Sequence, residues 1–152
     1  MKDYKITCCS TCDLTAEHLA SIDVAFAKYH YILDGVDHKD DLFVSSTPEQ
    51  FYGMIQAGAM PTTSQVTPEE LIELWSPILS EGYDILHIEF SSGLSGGYQS
   101  ALTAQEEIAK HYPNRKVIVV DSLCASSGYG LLVERRQSSK RAAWGSKNSR
   151  RG

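Results

Sequence analysis

The sequence predicts an α/β fold in which a parallel β-sheet is flanked by helices in three layers. Three apolar segments have the pattern of strands, at residues 4–10, 83–90 and 116–122. Each ends in Ser, Asp or Gly and is followed by a helical pattern, and this alternation is typical of a parallel sheet. A chain of 152 residues with 42% hydrophobic residues suits one soluble domain.

Two further signals come from residues 116–122 and from residues 34–35. Residues 116–122, KVIVVDS, are a run of β-branched residues, which is typical of a strand covered on both faces. After the first strand, Asp34-Gly35 favours a tight turn or a hairpin.

Two helices begin with nearly the same words, TPEQ at 47–50 and TPEE at 67–70. Both place Thr at the N-cap, Pro at the first position and Gln or Glu three residues on, which predicts capping boxes. The second helix then carries one apolar stripe, interpreted as core, and Pro77 should kink this helix or remove a backbone bond. The stripe consists of Leu71, Ile72, Trp75, Ile78 and Leu79. A third helical pattern runs from Tyr98 to the HYPN stop at 111–114.

Charge is distributed unevenly along the chain. Residues 134–152 hold seven of the 14 Lys and Arg and one of the 19 acids, so residues 1–133 carry a net charge of −11. An acidic body argues against a nucleic-acid partner, because phosphate binding needs a basic face. No signal peptide or apolar run long enough to span a bilayer is present, so we expect a cytoplasmic protein without membrane insertion. The basic tail is expected to be disordered or aberrant.

Cysteines crowd the end of the first strand as Cys8, Cys9 and Cys12. Small, semi-buried residues at a strand end are the first interpretation. A thiol-based redox or metal protein that uses these cysteines remains the rival, although Cys124 has no spacing that completes a zinc site.

No catalytic constellation is evident. There is no phosphate-binding loop, dinucleotide fingerprint or nucleophile elbow, and His87 within an apolar strand is expected to be a hydrogen-bonded core residue. The sequence therefore nominates no enzyme activity, no cofactor and no metal.

Hydroxyl side chains recur where the strands are expected to end. The set comprises Ser10, Thr11, Thr62, Thr63, Ser64, Ser91, Ser92, Ser95 and Ser122. Because the ends of parallel strands share one edge where ligands bind, these hydroxyls could ring one anion. Each is also a common N-cap or turn residue, so an ordinary structural role stays open for any one of them.

Five motifs together resemble the first domain of the DegV family of bacterial fatty-acid-binding proteins. They are CCSTCDL (8–14), LDGVD (33–37), PTTSQVTPEEL (61–71), SSGLSGGYQSA (91–101) and VIVVDSLCASSGYGLLV (117–133). The resemblance covers about residues 4–133, in the family's order and spacing. It places a DegV-like domain at residues 1–133 and leaves residues 134–152 outside the pattern.

The resemblance implies a carrier that binds a long-chain fatty acid and presents it to a fatty acid kinase subunit. By motif, the carboxylate contacts fall on Thr63, with Thr62 adjacent, and on Ser95 with Gly96. Ser10 and Thr11 lie near the same edge. Independently, Ser95 is expected to begin a helix, whose free N–H groups and positive end suit an anion, and Gly96 and Gly97 would let a ligand approach the backbone.

The chain departs from the family pattern in two ways. Where the family has T-D-S-T-A-D-L this chain has CCSTCDL, so Cys9 stands in place of an acid. Family members are also nearly twice as long, and their second domain is expected to be absent here. A truncated, nonfunctional fragment that self-associates through an exposed apolar face is therefore a further alternative.

Overall fold

The computed structural model describes the backbone of residues 3–149 and the side chains of residues 3–142. The strands of this part of the chain are β1 (Tyr4–Cys9), β2 (Val24–Ala27), β3 (His30–Leu33), β4 (Val36–Lys39), β5 (Thr62–Ser64), β6 (Asp84–Glu89) and β7 (Val117–Asp121). The helices are α1 (Ala16–Ser21), α2 (Pro48–Gln56), α3 (Pro68–Ser80), α4 (Gly97–His111) and α5 (Ser126–Ser149), with a 3-10 turn at Ser10–Cys12.

A four-stranded parallel sheet forms the centre of the fold, in the order β2-β1-β6-β7. Ile6 on β1 lies between Val24 on β2 and Leu86 on β6. All four strands end at the same edge of the sheet, where Cys9 pairs with Ala27 and Glu89 pairs with Asp121. The predicted α/β class is confirmed.

Helices cover both faces of this sheet, as the three-layer prediction requires. On one face, α3 and α4 contribute buried side chains to one core: Leu71, Trp75, Leu79, Ala101, Ala104 and Ile108. On the other face, α1 and α5 contribute Leu19, Tyr129 and Val133 to a second core. Cys8 and Cys9 belong to different cores because successive strand residues point to opposite faces.

Local sequence signals hold at the helix starts and at the hairpin. Thr47 and Thr67 form complete capping boxes with Gln50 and Glu70. The turn between β3 and β4 has positive φ at Asp34 (51°) and Gly35 (78°), the arrangement that a two-residue hairpin turn needs.

Pro77 lies inside α3, which continues to Ser80. Proline has no N–H to donate to the carbonyl four residues earlier, so one backbone bond of the helix is missing. One residue before Pro77, the Ser76 hydroxyl donates to the Ile72 carbonyl at 2.7 Å.

Strand β7 differs from the prediction that it is covered on both faces. It is the edge strand of the sheet, and Ile118 and Val120 are 53% and 38% exposed. Val117 and Val119 pack on the core beneath α3 and α4. A β-branched run shows that both faces are apolar, but only the tertiary structure decides whether something covers them.

The prediction of a disordered tail from residue 134 is wrong for residues 134–142, because α5 continues through them and packs against the body. Gln137 is 4% exposed and its amide donates to the Ile22 carbonyl at 2.6 Å. Arg141 donates to the Ser21 carbonyl at 3.2 Å, and Lys140 donates to the Tyr4 carbonyl. Residues 150–152 lie outside the described residues, and none of the described helices has the length and apolarity of a membrane span.

A second, antiparallel sheet in the order β4-β3-β5 stands beside the end of the parallel sheet. Tyr31 on β3 pairs with His38 on β4 and with Thr63 on β5. The sequence predicted the hairpin of this sheet but not the pairing of β5.

Candidate functional site

A cavity of about 870 Å³ lies between the carboxyl-terminal edge of the parallel sheet and the antiparallel sheet. Its lining includes Thr11 after β1, Tyr29 after β2, and Phe90 and Ser95 after β6. Such an edge is where ligands bind in open α/β sheets, and the volume falls within the range of roughly 300–1,000 Å³ usual for small-molecule sites.

Much of the cavity wall is apolar or aromatic. These side chains are Leu14, Tyr31, Leu42, Phe43, Phe51, Tyr52, Phe90 and Leu94. The rings of Tyr31 and Phe51 meet edge to face, with centroids 5.3 Å apart. Phe43, Tyr52 and Leu94 are exposed, so part of the apolar wall is in contact with solvent.

Four of the six predicted ligand-binding residues line this cavity: Thr11, Thr63, Ser95 and Gly96. The other two, Ser10 and Thr62, do not line it. Ser10 is fully buried, and its hydroxyl accepts a hydrogen bond from the Tyr29 N–H at 3.0 Å, which is a structural role. Thr62 is exposed at the other end of β5, where it pairs with Ile32.

Ser95 lies just before α4 rather than at its first position. The helix begins at Gly97 with Gly96 as N-cap, and Gly96 offers no capping side chain. Instead, the Ser95 hydroxyl accepts the Gly97 N–H at 3.1 Å, which satisfies one of the free donors of the first turn.

Gly96 and Gly97 are in close contact with other side chains. A Cβ at Gly96 would overlap the Gln65 amide, and a Cβ at Gly97 would overlap the Tyr29 hydroxyl. The groups that approach the backbone here are therefore protein side chains, whereas the sequence had suggested a ligand. The amide of Gln65 in turn donates to the Ser100 hydroxyl at 3.1 Å.

Thr11 carries a buried hydroxyl oxygen that has no hydrogen-bond partner among the described residues. A buried polar group left unsatisfied costs about 1–3 kcal/mol. Because Thr11 also lines the cavity, a rotation of its side chain would let this hydroxyl meet a polar ligand atom there.

Behind the cavity, a buried polar network is centred on Glu89, the last residue of β6. One carboxylate oxygen, Oε2, lies 2.8 Å from His87 Nε2 and 3.1 Å from the Cys9 sulfur. The other oxygen, Oε1, accepts from the Tyr29 hydroxyl at 3.1 Å and from the Phe90 N–H at 3.0 Å. His87 Nδ1 lies 2.9 Å from the Thr7 hydroxyl, which confirms His87 as a hydrogen-bonded core residue.

Burial and hydrogen bonding act against each other on the ionisation of Glu89. Burial alone would raise the pKa of its carboxyl, but the hydrogen bond from His87, the charge of His87 and the Cys9 thiol together lower it. Burial, followed by the negative charge of Glu89, raises the pKa of Tyr29. Glu89 is thus an ionised acceptor and Tyr29 a protonated phenol near neutral pH.

The arrangement of the cysteines does not favour redox chemistry at Cys9. Cys9 and Cys12 belong to the two different cores, while the thiols of Cys8 and Cys12 interact with each other. Burial, and then the charge of Glu89, raises the pKa of Cys9 well above its ordinary value. The nucleophile in thiol chemistry is the thiolate, so a buried and protonated Cys9 is poorly suited to it.

Cys9, His87 and Glu89 also form a cluster of three side chains that could ligate a metal, with donor atoms within 4.8 Å of one another. Two of their separations, 2.8 and 3.1 Å, are hydrogen-bond lengths. Neighbouring ligands of a tetrahedral zinc ion lie about 3.3–3.6 Å apart, given metal–ligand distances of about 2.0–2.3 Å. We therefore interpret the cluster as a hydrogen-bonded network rather than as a set of metal ligands.

Several site residues were not identified by the sequence reasoning. Tyr29 follows a short strand without a distinctive motif, and Glu89 lies in a strand that reads as core. Gln65 lies in the PTTSQVTPEEL motif but was assigned no role. The one signal available for Glu89 was a charged residue at the end of an otherwise apolar buried strand, since such residues are rarely buried unless paired.

Comparison with known proteins shows relatives in both sequence and fold. A sequence model of the DegV family, a family of uncharacterised proteins, matches residues 3–140, which runs past the predicted boundary at residue 133. A DegV domain-containing protein of Clostridium perfringens is 35% identical over 133 residues, covering 88% of this chain and 46% of that protein.

Solved structures share the fold. A stearic-acid-binding protein from Eubacterium ventriosum has a TM-score of 0.82 and 25% identity over 89% of this chain and 46% of that one. A structure that describes the fatty acid binding of a DegV family protein from Thermus thermophilus has a TM-score of 0.75 and 32% identity over 91% of this chain and 47% of that one.

The chain thus spans about half the length of the relatives that it matches. Its family match covers nearly all of its own residues, and the matched structures have the same α/β architecture. This chain therefore belongs to the DegV family.

Proposed function

We propose that this protein binds a long-chain fatty acid, with its carboxyl group at Ser95, Thr63 and Thr11 and its acyl chain along the apolar cavity wall. One observation carries the proposal. Three segments far apart in sequence bring hydroxyl groups to one cavity whose other walls are largely apolar.

The polar end of the cavity suits a carboxyl group. Gly96 is the N-cap of α4, so the free N–H groups and positive end of a 15-residue helix lie beside Ser95. Thr63 comes from the facing antiparallel sheet, and Thr11 supplies a buried hydroxyl that lacks a partner. A head group between them would receive polar contacts from two sides.

The walls suit an acyl chain because burying each methylene contributes about 0.8 kcal/mol. The Eubacterium ventriosum and Thermus thermophilus relatives bind fatty acids, which supports the same ligand class here. We extend the proposal to a carrier role, in which the protein is not itself a catalyst and presents the acid to a fatty acid kinase subunit. That extension rests on the family resemblance.

Lipid extraction tests the ligand class directly. The protein is purified without detergent, and lipid extracted from it is identified by mass spectrometry. We expect to recover fatty acids of 14 to 18 carbons, in less than one equivalent per protein because part of the cavity wall is open to solvent, while a sample free of lipid, or one that is aggregated, would contradict the proposal.

Removal of the Ser95 hydroxyl tests the head-group site. We expect Ser95→Ala to weaken palmitate binding about three- to tenfold and Ser95→Ala with Thr63→Val to weaken it further, because each hydroxyl supplies one hydrogen bond. Ser92→Ala is the matched control, since Ser92 is exposed in the same loop and does not line the cavity. Equal affinity in Ser95→Ala and Ser92→Ala, measured by isothermal titration, would remove Ser95 from the site.

A further inference from the structure

The protons around Glu89 fix the direction of a hydrogen-bond chain that reaches the cavity. An ionised carboxylate can only accept, and Glu89 Oε1 lies 3.1 Å from the Tyr29 hydroxyl oxygen. If Tyr29 turned its proton elsewhere, two acceptors would face each other in a buried site. Tyr29 therefore donates its only proton to Glu89.

The next bond in the chain follows from the first. Tyr29 Oη lies 3.2 Å from the Ser95 hydroxyl oxygen. Because the Tyr29 proton is committed to Glu89, Ser95 must donate in this pair. Ser95 also accepts the Gly97 N–H at 3.1 Å. Its proton and one lone pair are then in use, and the lone pair that remains is the group that Ser95 can offer to the cavity.

Glu89 is held in place from its other side. His87, Cys9 and the Phe90 N–H all donate to it, and Glu89, His87 and Cys9 are fully buried. Tyr29 is 8% exposed, and its hydroxyl occupies the space that a Cβ at Gly97 would fill. The chain from Glu89 through Tyr29 to Ser95 is therefore hydrogen-bonded at each step.

We propose that Tyr29 is a specificity-determining residue that acts through Ser95, by holding the Ser95 hydroxyl proton away from the cavity. This inference rests on the proposed function. The ligand-free site presents an acceptor at Ser95 and so favours a head group that donates a hydrogen, such as a protonated carboxylic acid or an alcohol. An ionised carboxylate must first turn the Ser95 proton away from Tyr29, which breaks one hydrogen bond.

The test compares two ligands with the same acyl chain, dodecanoate and 1-dodecanol, at pH 8.5, where the acid is ionised in water. The measured quantity is the ratio of their dissociation constants in one preparation, so a partly unfolded sample does not alter it. We expect Tyr29→Phe to shift this ratio about three- to tenfold toward dodecanoate, because the Ser95 proton is no longer held.

Two further variants separate this effect from a general loss of structure. Tyr112→Phe removes a phenol hydroxyl that donates to the Ser76 carbonyl at 3.3 Å, away from the cavity, and should leave the ratio unchanged. In a Ser95→Ala background, Tyr29→Phe should no longer shift the ratio, since the two residues act as one unit.

The outcomes distinguish the two proposals. Binding of both ligands with a ratio unchanged in Tyr29→Phe, or a shift that persists in Ser95→Ala, would overturn this inference and leave fatty-acid binding standing. Failure of the unaltered protein to bind either ligand would overturn the proposed function and this inference with it.

Discussion

Gly97 lies where the Tyr29 hydroxyl and the Glu89 carboxylate come closest to the backbone of α4. A Cβ at this position would overlap the Tyr29 hydroxyl and lie within 3.0 Å of Glu89 Oε1. Neither neighbour can move easily, because Tyr29 is held by Glu89 and Ser95, and Glu89 by four donors. A single missing side chain therefore allows the polar network to reach the cavity.

We expect Gly97→Ala to lower the free energy of unfolding by about 1–3 kcal/mol, as overpacking of a core does. Gly53→Ala is the matched control. Gly53 lies within α2, where a Cβ would meet nothing within 4 Å, so alanine there should stabilise the helix by about 0.5–1 kcal/mol. Urea denaturation measures the free energy of unfolding of both variants. A Gly97→Ala protein as stable as the unaltered one would show that Tyr29 and Glu89 can move to accommodate the added methyl group.

Among the elements, the start of α3 is connected to the antiparallel sheet by the side-chain contacts of Glu70. One Glu70 oxygen accepts the Thr67 N–H at 3.1 Å and completes the capping box. The other lies 2.8 Å from His30 Nε2 and 3.0 Å from Lys39 Nζ. The capping residue thus also ties α3 to β3 and β4, two strands that line the cavity.

This arrangement predicts an acid dependence of stability. Burial alone would raise the pKa of Glu70, but the Thr67 N–H, Lys39 and His30 lower it to about 2. Because the folded-state pKa lies below the ordinary value of 4.5, the stabilisation is present above pH 4.5 and is lost as the pH falls toward 2. After solvent screening we estimate it at about 1–2 kcal/mol.

Glu70→Gln keeps the capping box, as Gln50 does in α2, but removes the charge. We expect the free energy of unfolding of this variant to lie below that of the unaltered protein at pH 7. The gap between the two free energies should close between about pH 4.5 and pH 2. Glu69→Gln, one residue earlier on the same helix, controls for loss of an acid at the helix start. Urea denaturation across this pH range measures the gap, and a gap that stays constant would contradict the assignment.

For the whole molecule, the relation between the cavity and solvent decides how tightly a ligand can bind. Phe43, Tyr52 and Leu94 line the cavity and are themselves exposed. Full enclosure of roughly 15 methylenes would contribute about 12 kcal/mol, and half enclosure forfeits about 6 kcal/mol, or about four decades of affinity. The open wall thus sets the affinity more than the head-group contacts do.

We expect the 152-residue chain to bind palmitate and oleate weakly unless a dimer partner or another chain closes the cavity. Isothermal titration gives the affinity, and light scattering after gel filtration gives the oligomeric state of the same sample. Submicromolar binding by a monomer would contradict this expectation. Self-association through the exposed face of β7, where Ile118 and Val120 lie, would appear as a concentration-dependent mass.

Elements whose signals are local were predictable from the sequence. The capping boxes at Thr47 and Thr67, the Asp34-Gly35 turn and the apolar stripe of α3 each depend on residues within a few positions of one another. Composition at residues 134–142 misled the prediction, because Lys140 and Arg141 pack on the body through carbonyls more than 100 residues away in sequence. Basic side chains can lie along a helix that is stabilised by such contacts.

The amino-acid sequence by itself determined the α/β class and the family resemblance, and it nominated Thr11, Thr63, Ser95 and Gly96, all of which line one cavity. Only the tertiary structure decided that Ser10 and Thr62 face elsewhere and that Glu89 and Tyr29 stand behind Ser95. The physical reason is the distance in sequence between the residues that interact. Caps, turns and periodicity are set by neighbours in sequence, whereas a buried carboxylate gains its donors from strands and loops that meet only when the chain folds.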